Sequence, residues 1–154
     1  MKLLISILLF SLFFTSPESS PEVPPGWLTD FSKAKQEAML NKKMILINFS
    51  GSDWCGPCFQ LKKKIFEADE FNEYASEHLV LVNADFPRLK KNELSKEQVK
   101  LNEALADKYN KEGKFPFTVL LDWSGKVIKE WEGCPDESPV EFIGEIKKII
   151  HAGI

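Results

Sequence analysis

Met44-Ile-Leu-Ile-Asn-Phe-Ser-Gly-Ser-Asp-Trp-Cys-Gly-Pro-Cys58 joins a short apolar run to two cysteines three residues apart. Met44 to Phe49 is rich in β-branched residues and too short for a helix, so it reads as a buried strand. Ser50 to Gly56 reads as a loop. A helix is expected from Pro57, with Cys58, Leu61 and Ile65 on one face. The cysteine pair therefore lies where a buried strand feeds a helix. Cys55 falls at the helix N-terminus, where unpaired amide donors and the helix dipole favour a thiolate, the form of the thiol that attacks a disulfide. Cys58 follows one helical turn later, within reach of the first sulfur. Gly56 is expected to let the chain turn tightly, and Pro57 loses nothing in a first turn whose N–H groups are unpaired anyway. Trp54 sets a large ring beside the nucleophile, placed to shield it and to cover a bound substrate. Two other readings of the pair stand beside this one. Half of a zinc site would need partners, and only Cys134, His78 and His151 remain, without paired spacing. A structural disulfide or an inactive remnant is the other.

Working outward, Asp30 can cap a helix running to about Asn41, with Phe31, Ala34, Ala38 and Met39 as its apolar stripe. Downstream, Phe71, Tyr74 and Ala75 mark a second helical piece. Leu79 to Asp85 reads as a second buried strand. Ser95 with Gln98 reads as a capping box, followed by a helical face of Leu101, Leu105 and Tyr109. Phe115 to Leu121 and Lys126 to Trp131 read as two strands turned at Asp122-Trp-Ser-Gly125. Ser138-Pro139-x-Glu141 is a strong helix start, followed by Phe142, Ile143, Ile146, Ile149 and Ile150. Strands separated by helices are expected to be parallel neighbours joined by right-handed crossovers, and the last two to form an antiparallel hairpin. The expected fold class is α/β, a mixed four-stranded sheet with helices on both faces.

The chain of 154 residues suits one domain with a hydrophobic core of its own. A net charge of −3 lacks the basic footprint of a nucleic-acid binder. Lys2 precedes an apolar run from Leu3 to Phe14, which has the length of a signal-peptide apolar region rather than of a membrane span. Residues 1–20 are therefore expected to be a signal peptide cleaved near Ser19 or Ser20, with an uncleaved anchor as the alternative. Residues 21–29 continue a Pro-rich stretch that reads as a linker, and residues 30–154 as the folded domain. Export makes the odd cysteine, Cys134, notable in a compartment where disulfides persist.

The Trp54-Cys55-Gly56-Pro57-Cys58 segment resembles the active-site motif of the thioredoxin family, and the element order from about Asp30 to Ile154 resembles its fold. Phe49-Ser-Gly-Ser-Asp-Trp-Cys55 is similar to a branch of exported bacterial thioredoxin-like proteins. The resemblance implies that Pro116, in Phe115-Pro-Phe-Thr118, is a cis-proline facing the cysteines. It also implies that the Phe115 backbone offers strand-like hydrogen bonds to an extended substrate. It assigns Cys55 as nucleophile, Cys58 as resolving thiol, Trp54, Gly56, Pro57 and Pro116 as support, and Trp54, Phe115 and Pro116 as the substrate groove. Gly-Pro between the cysteines matches the reducing members, so reduction of disulfides in exported proteins is expected. That exchange needs no organic cofactor and no metal. An exported reductant, periplasmic or extracellular, also implies a membrane electron-transfer partner. The alternatives are a disulfide oxidant or isomerase, and a non-catalytic module that holds clients in the Pro116 groove.

Three features depart from the family pattern. Asn48 stands where the family has a buried Asp that helps deprotonate the second cysteine; Asn cannot accept a proton, which predicts slower release of the mixed disulfide. The loop from Phe49 to Trp54 is one residue longer, and Asp53 within it is expected to point to solvent. Residues 86–103 form a charged insert, expected as a solvated extended helix and alternatively as a partner-docking or substrate-selecting surface. Cys134 lies at a turn that borders the groove in the family. It is expected to be a small buried apolar residue or, alternatively, an extra redox thiol or a site of intermolecular disulfide formation. His78 and His151 are expected at the surface.

Overall fold

A computed structural model describes residues 26–152 of the chain. The expected signal segment and the linker up to Pro25 lie outside the described residues. In chain order the elements are β1 (Trp27–Leu28), α1 (Phe31–Asn41), β2 (Met44–Ser50), α2 (Gly56–Leu61), α3 (Asp69–His78), β3 (Leu79–Asp85), α4 (Lys96–Tyr109), β4 (Phe117–Leu121), β5 (Val127–Glu132) and α5 (Pro139–His151). A π-helical stretch, Lys62–Phe66, continues α2.

Local chemistry fixes most of these boundaries. Asp30 caps α1 by accepting from the Ser32 N–H at 2.9 Å. Ser138 and Glu141 complete a reciprocal box at the start of α5, with Pro139 in its first turn. Ser95 caps α4 through the Gln98 N–H, but the other half of the expected box is not made. The Gln98 side chain donates instead to the Thr29 carbonyl and to Asn102.

The sheet has the order β1-β3-β2-β4-β5, one strand more than the sequence foretold. Trp27 and Leu28 pair in parallel with Leu81 and Val82, so the folded unit already includes the end of the expected linker. β2 and β3 are parallel, as their helical crossover requires. β4 runs antiparallel to β2 although α4 precedes it, a correction to the rule applied to the sequence. The segment after Tyr109 returns the chain to the end of the sheet where β2 finishes, so Phe117 starts opposite Phe49 and the strand must run back.

Side chains of β2 alternate between two apolar layers. Ile45, Ile47 and Phe49 pack with Ala34 and Ala38 of α1 and with Leu105 and Tyr109 of α4. Met44 and Leu46 pack with Leu61, Phe71 and Tyr74, and with Phe142, Ile143 and Ile146 of α5. The buried face of α4 is Asn102, Leu105 and Tyr109, whereas Leu101 is exposed. Met39 is likewise exposed rather than part of the α1 stripe. No helix among the described residues is long and apolar enough to cross a membrane.

Candidate active site

Cys55 is the N-cap of α2, and its sulfur accepts the Cys58 N–H at 3.2 Å. The Cys55 N–H donates back to the Gly51 carbonyl at 3.0 Å, which holds the loop as a tight turn between β2 and α2. The two sulfurs form a disulfide across a Cα–Cα distance of 5.2 Å. Each cysteine is only 4 % exposed, so a reacting partner must be brought to the sulfur by the shape of the surface around it. Pro57 lies in the first turn of α2. Gly56 corrects an expectation. It has no left-handed φ and open space where a Cβ would stand, so the turn itself does not demand glycine there.

Glycine is demanded at Gly51. A Cβ at this position would collide with the Trp54 indole, which folds back over the loop. Trp54 is then held from three sides. Its Nε1 donates to the Phe86 carbonyl at 2.7 Å, its ring meets Phe115 edge-on at 5.4 Å, and the Arg88 guanidinium lies 3.7 Å from a ring centroid on its face. Phe86 also meets Phe115 edge-on, at 5.4 Å. The Phe115–Pro116 peptide bond is cis. The Pro116 carbonyl accepts from the Gly133 N–H, while none of the backbone hydrogen bonds among the described residues uses the N–H or C=O of Phe115. Trp54, Phe115 and Pro116 thus form one continuous edge beside the cysteine turn.

Asp53 does not point to solvent. Its carboxylate accepts from the Arg88 N–H and the Leu89 N–H, each at 2.9 Å, and from the Asn92 amide at 3.0 Å. Three donors outweigh free hydration of an isolated carboxylate, which is why the expected orientation fails. One step earlier in the loop, the Ser52 N–H donates to Asp85 at 2.8 Å, and the Ser52 hydroxyl does so too. The start of the insert is therefore bolted to the cysteine loop. It is not an extended helix: residues 90–92 make a single 3-10 turn, and α4 begins only at Lys96.

Desolvation works to raise the Asp53 pKa, but the N–H groups of Arg88 and Leu89 and the Asn92 amide prevail and hold it below the ordinary carboxylate value. A folded-state pKa below the unfolded one means stabilisation that is fully present above the ordinary Asp pKa, about 3.9, and lost as pH falls through the folded value. Hydrogen exchange at the Arg88 and Leu89 amides should accordingly accelerate in Asp53→Ala, on the order of tenfold, with the central sheet amides unaffected. Acidification below about pH 4 should loosen the same amides in the wild type but not further in the variant. Equal exchange in both proteins at neutral pH would contradict this account.

Asn48 faces the same layer as Leu46, the one covered by α2 and α5. Its Oδ1 and the Oγ1 of its cross-strand neighbour Thr118 are buried without a hydrogen-bond partner. Cys134 is free and half-buried, and packs against the α5-side layer with its thiol 3.8 Å from the Pro135 carbonyl. It lies beside Gln60, Lys63 and Lys64. His78 is exposed and stacks on Tyr74, and His151 is exposed at the end of α5. Ser52, Asp85, Phe86 and Arg88 were not foreseen as neighbours of the cysteines. They lie more than 30 residues from the loop in sequence or carry no motif, so only the three-dimensional pairing reveals them.

The family model described as thioredoxin-like matches residues 26–122. The chain is similar to the disulfide bond reductase DsbH of Chlamydia pneumoniae, at 35% identity over 120 residues, 78% of this chain and 70% of that protein. It is also 30% identical over 102 residues to the thioredoxin-related protein DsbJ of Chlamydia pneumoniae, a match spanning 66% of this chain and 28% of that one. Among solved structures, a DsbH oxidoreductase superposes with a TM-score of 0.73 at 28% identity, covering 92% of this chain and 93% of that one. A disulphide isomerase from Xylella fastidiosa Temecula1 superposes at 0.58 with 19% identity over 84% and 98% of the two chains, a likeness of fold alone.

Proposed function

Because this chain belongs to the thioredoxin-like family and is a thiol–disulfide oxidoreductase, we propose that it works in the reducing direction on disulfides of exported proteins. The observation that carries the chemistry is the Cys58 N–H directed at the Cys55 sulfur at the head of α2. An amide donor and a helix N-terminus both favour the thiolate at Cys55. In the dithiol form, the Cys55 thiolate attacks one sulfur of a client disulfide. A mixed disulfide forms and the client's other sulfur leaves as a thiolate. Cys58 then gives up its proton and attacks the Cys55 sulfur. The client's second sulfur departs, and the Cys55–Cys58 disulfide remains. Two electrons have passed to the client, whose sulfurs end as thiols. No organic cofactor or metal enters the exchange.

The free Phe115 backbone and the cis Pro116 beside Trp54 supply an edge on which an extended client can lie with main-chain hydrogen bonds, largely independent of its sequence. The reducing direction is supported by the Gly-Pro spacer and by the likeness to a protein named as a disulfide bond reductase. Export rests on the apolar segment at residues 3–14. It brings with it a periplasmic or extracellular location and a membrane partner that returns electrons to Cys55 and Cys58. The test is the equilibrium of the Cys55–Cys58 couple with glutathione. A reduction potential near about −270 mV is expected for a reductant; a value near about −120 mV would make the protein an oxidant instead.

A further inference from the structure

The insert between β3 and α4 adds a second wall to the groove, and a client-selecting role for that wall rests on the oxidoreductase reading. Behind Arg88 lies a cavity of about 440 Å³ whose apolar lining includes Phe86, Leu89, Leu94 and Val99. Leu89 is 48 % and Val99 37 % exposed, so both present apolar surface that the fold leaves open. The Arg88 guanidinium lies over the Trp54 ring, 3.7 Å from a ring centroid, and it makes no ion pair with a carboxylate among the described residues. Asp53 binds its backbone N–H, leaving the guanidinium edge for another acceptor. Lys90 and Lys91 follow Leu89 and add positive charge; Glu93 and Asp85 are the opposing charges of the lining, Asp85 being engaged by the Ser52 N–H and hydroxyl. The wall is continuous with the Phe115 edge through Trp54 and Phe86, and Asp53 fixes it two residues before Cys55. A guanidinium held in this way loses little freedom on meeting a planar carboxylate.

We propose that Arg88 and this cavity form a client-selecting subsite that takes an Asp or Glu side chain close to the client's reactive cysteine, with a neighbouring apolar side chain in the cavity. Charge complementarity with the unpaired guanidinium chooses an acidic segment over a basic one, and the half-exposed Leu89 and Val99 choose an apolar neighbour over a polar one.

The test separates the subsite from the redox chemistry by using linear peptides in which the reactive cysteine is replaced by serine. Three peptides differ at one position two residues from that serine, carrying Glu, Gln or Lys, each followed by Leu. Binding to the full chain is measured by calorimetry at low ionic strength. The Glu peptide should bind about fivefold more tightly than the Lys peptide. Arg88→Gln should bring that ratio close to one, Arg88→Glu should reverse it, and high salt should shrink it. Equal affinities in the wild type, or a ratio that survives Arg88→Gln, overturns the subsite. Loss of insulin reduction with the binding preference intact would instead overturn the reductase reading and leave the subsite standing.

Discussion

Cys55→Ser should lower insulin disulfide reduction by at least about a thousandfold, because a serine hydroxyl supplies no nucleophile comparable to a thiolate and the residues of such a site act as a unit. Cys58→Ala should also stop turnover, but at a different point. Its first step is intact, so one client chain should remain covalently attached to Cys55 in each protein molecule, visible as a band that disappears on adding a reductant. The two variants are structurally mild. Cys55 and Cys58 are small, and the turn between them is held by backbone bonds from Cys55 to Gly51 and from Phe59 to Cys55 that neither substitution removes. If Cys55→Ser protein reduces insulin at the wild-type rate, or if Cys58→Ala protein accumulates no adduct, the assignment of attack to the first sulfur is wrong. Full retention of cellular activity by Cys55→Ser would favour a client-holding module instead.

Phe142→Ala should cost about 3–5 kcal/mol of folding stability. The ring is fully buried and is the meeting point of α5 with the rest of its layer. It lies 4.9 Å from Trp131, 6.3 Å from Phe71 and 6.4 Å from Phe66, so removing it opens a hole lined by three other rings. Those rings are themselves tied down: Trp131 donates its Nε1 to Glu145 at 2.7 Å, and Phe66 packs edge-on against Trp27 at 5.0 Å. They cannot collapse into the space without breaking other contacts, which places the cost toward the upper part of the range. Urea denaturation reads it as a midpoint lowered by about 1–5 M at unchanged slope, for a slope of about 1–3 kcal/mol/M. Val140→Ala on the same helix is the control: Val140 is largely exposed, and its truncation should stay within about 0.5 kcal/mol. A Phe142→Ala change as small as that of Val140→Ala would remove α5 from the account of what holds the sheet.

Most of this was legible wherever chemistry is local. The apolar run at Met44–Phe49, the cap at Asp30 and the box at Ser138 and Glu141 each specify an element within four to seven residues of chain, and each formed. Pairings across long separations were not legible. Asp53 looked like a solvated acid because nothing near it in sequence offers donors; its three donors come from residues 88–92. Trp27–Leu28 is too short a strand to show periodicity, and only β3 gives it an identity. The direction of β4 depended on how the chain travels after α4, which composition does not encode. At Asn102 a polar residue occupies the buried face of α4 because its side chain donates to the Asp85 carbonyl at 2.7 Å, so a reading by hydropathy chose Leu101 instead.

The π-helical stretch after α2 has a consequence for how this protein tolerates change. With the Glu67 N–H reaching back five residues to the Lys62 carbonyl, this stretch accommodates one residue more than an α-helical turn would. That surplus resets the phase of the helix, so Leu61, Ile65 and Phe66 all reach the interior while Lys63 and Lys64 stay outside. Lys64 also donates its Nζ to the Pro135 carbonyl at 3.0 Å, whereas the identity of Lys63 can drift freely. The number of residues between Leu61 and Phe66 cannot, because dropping one would rotate the redox turn against the aromatic layer beneath it.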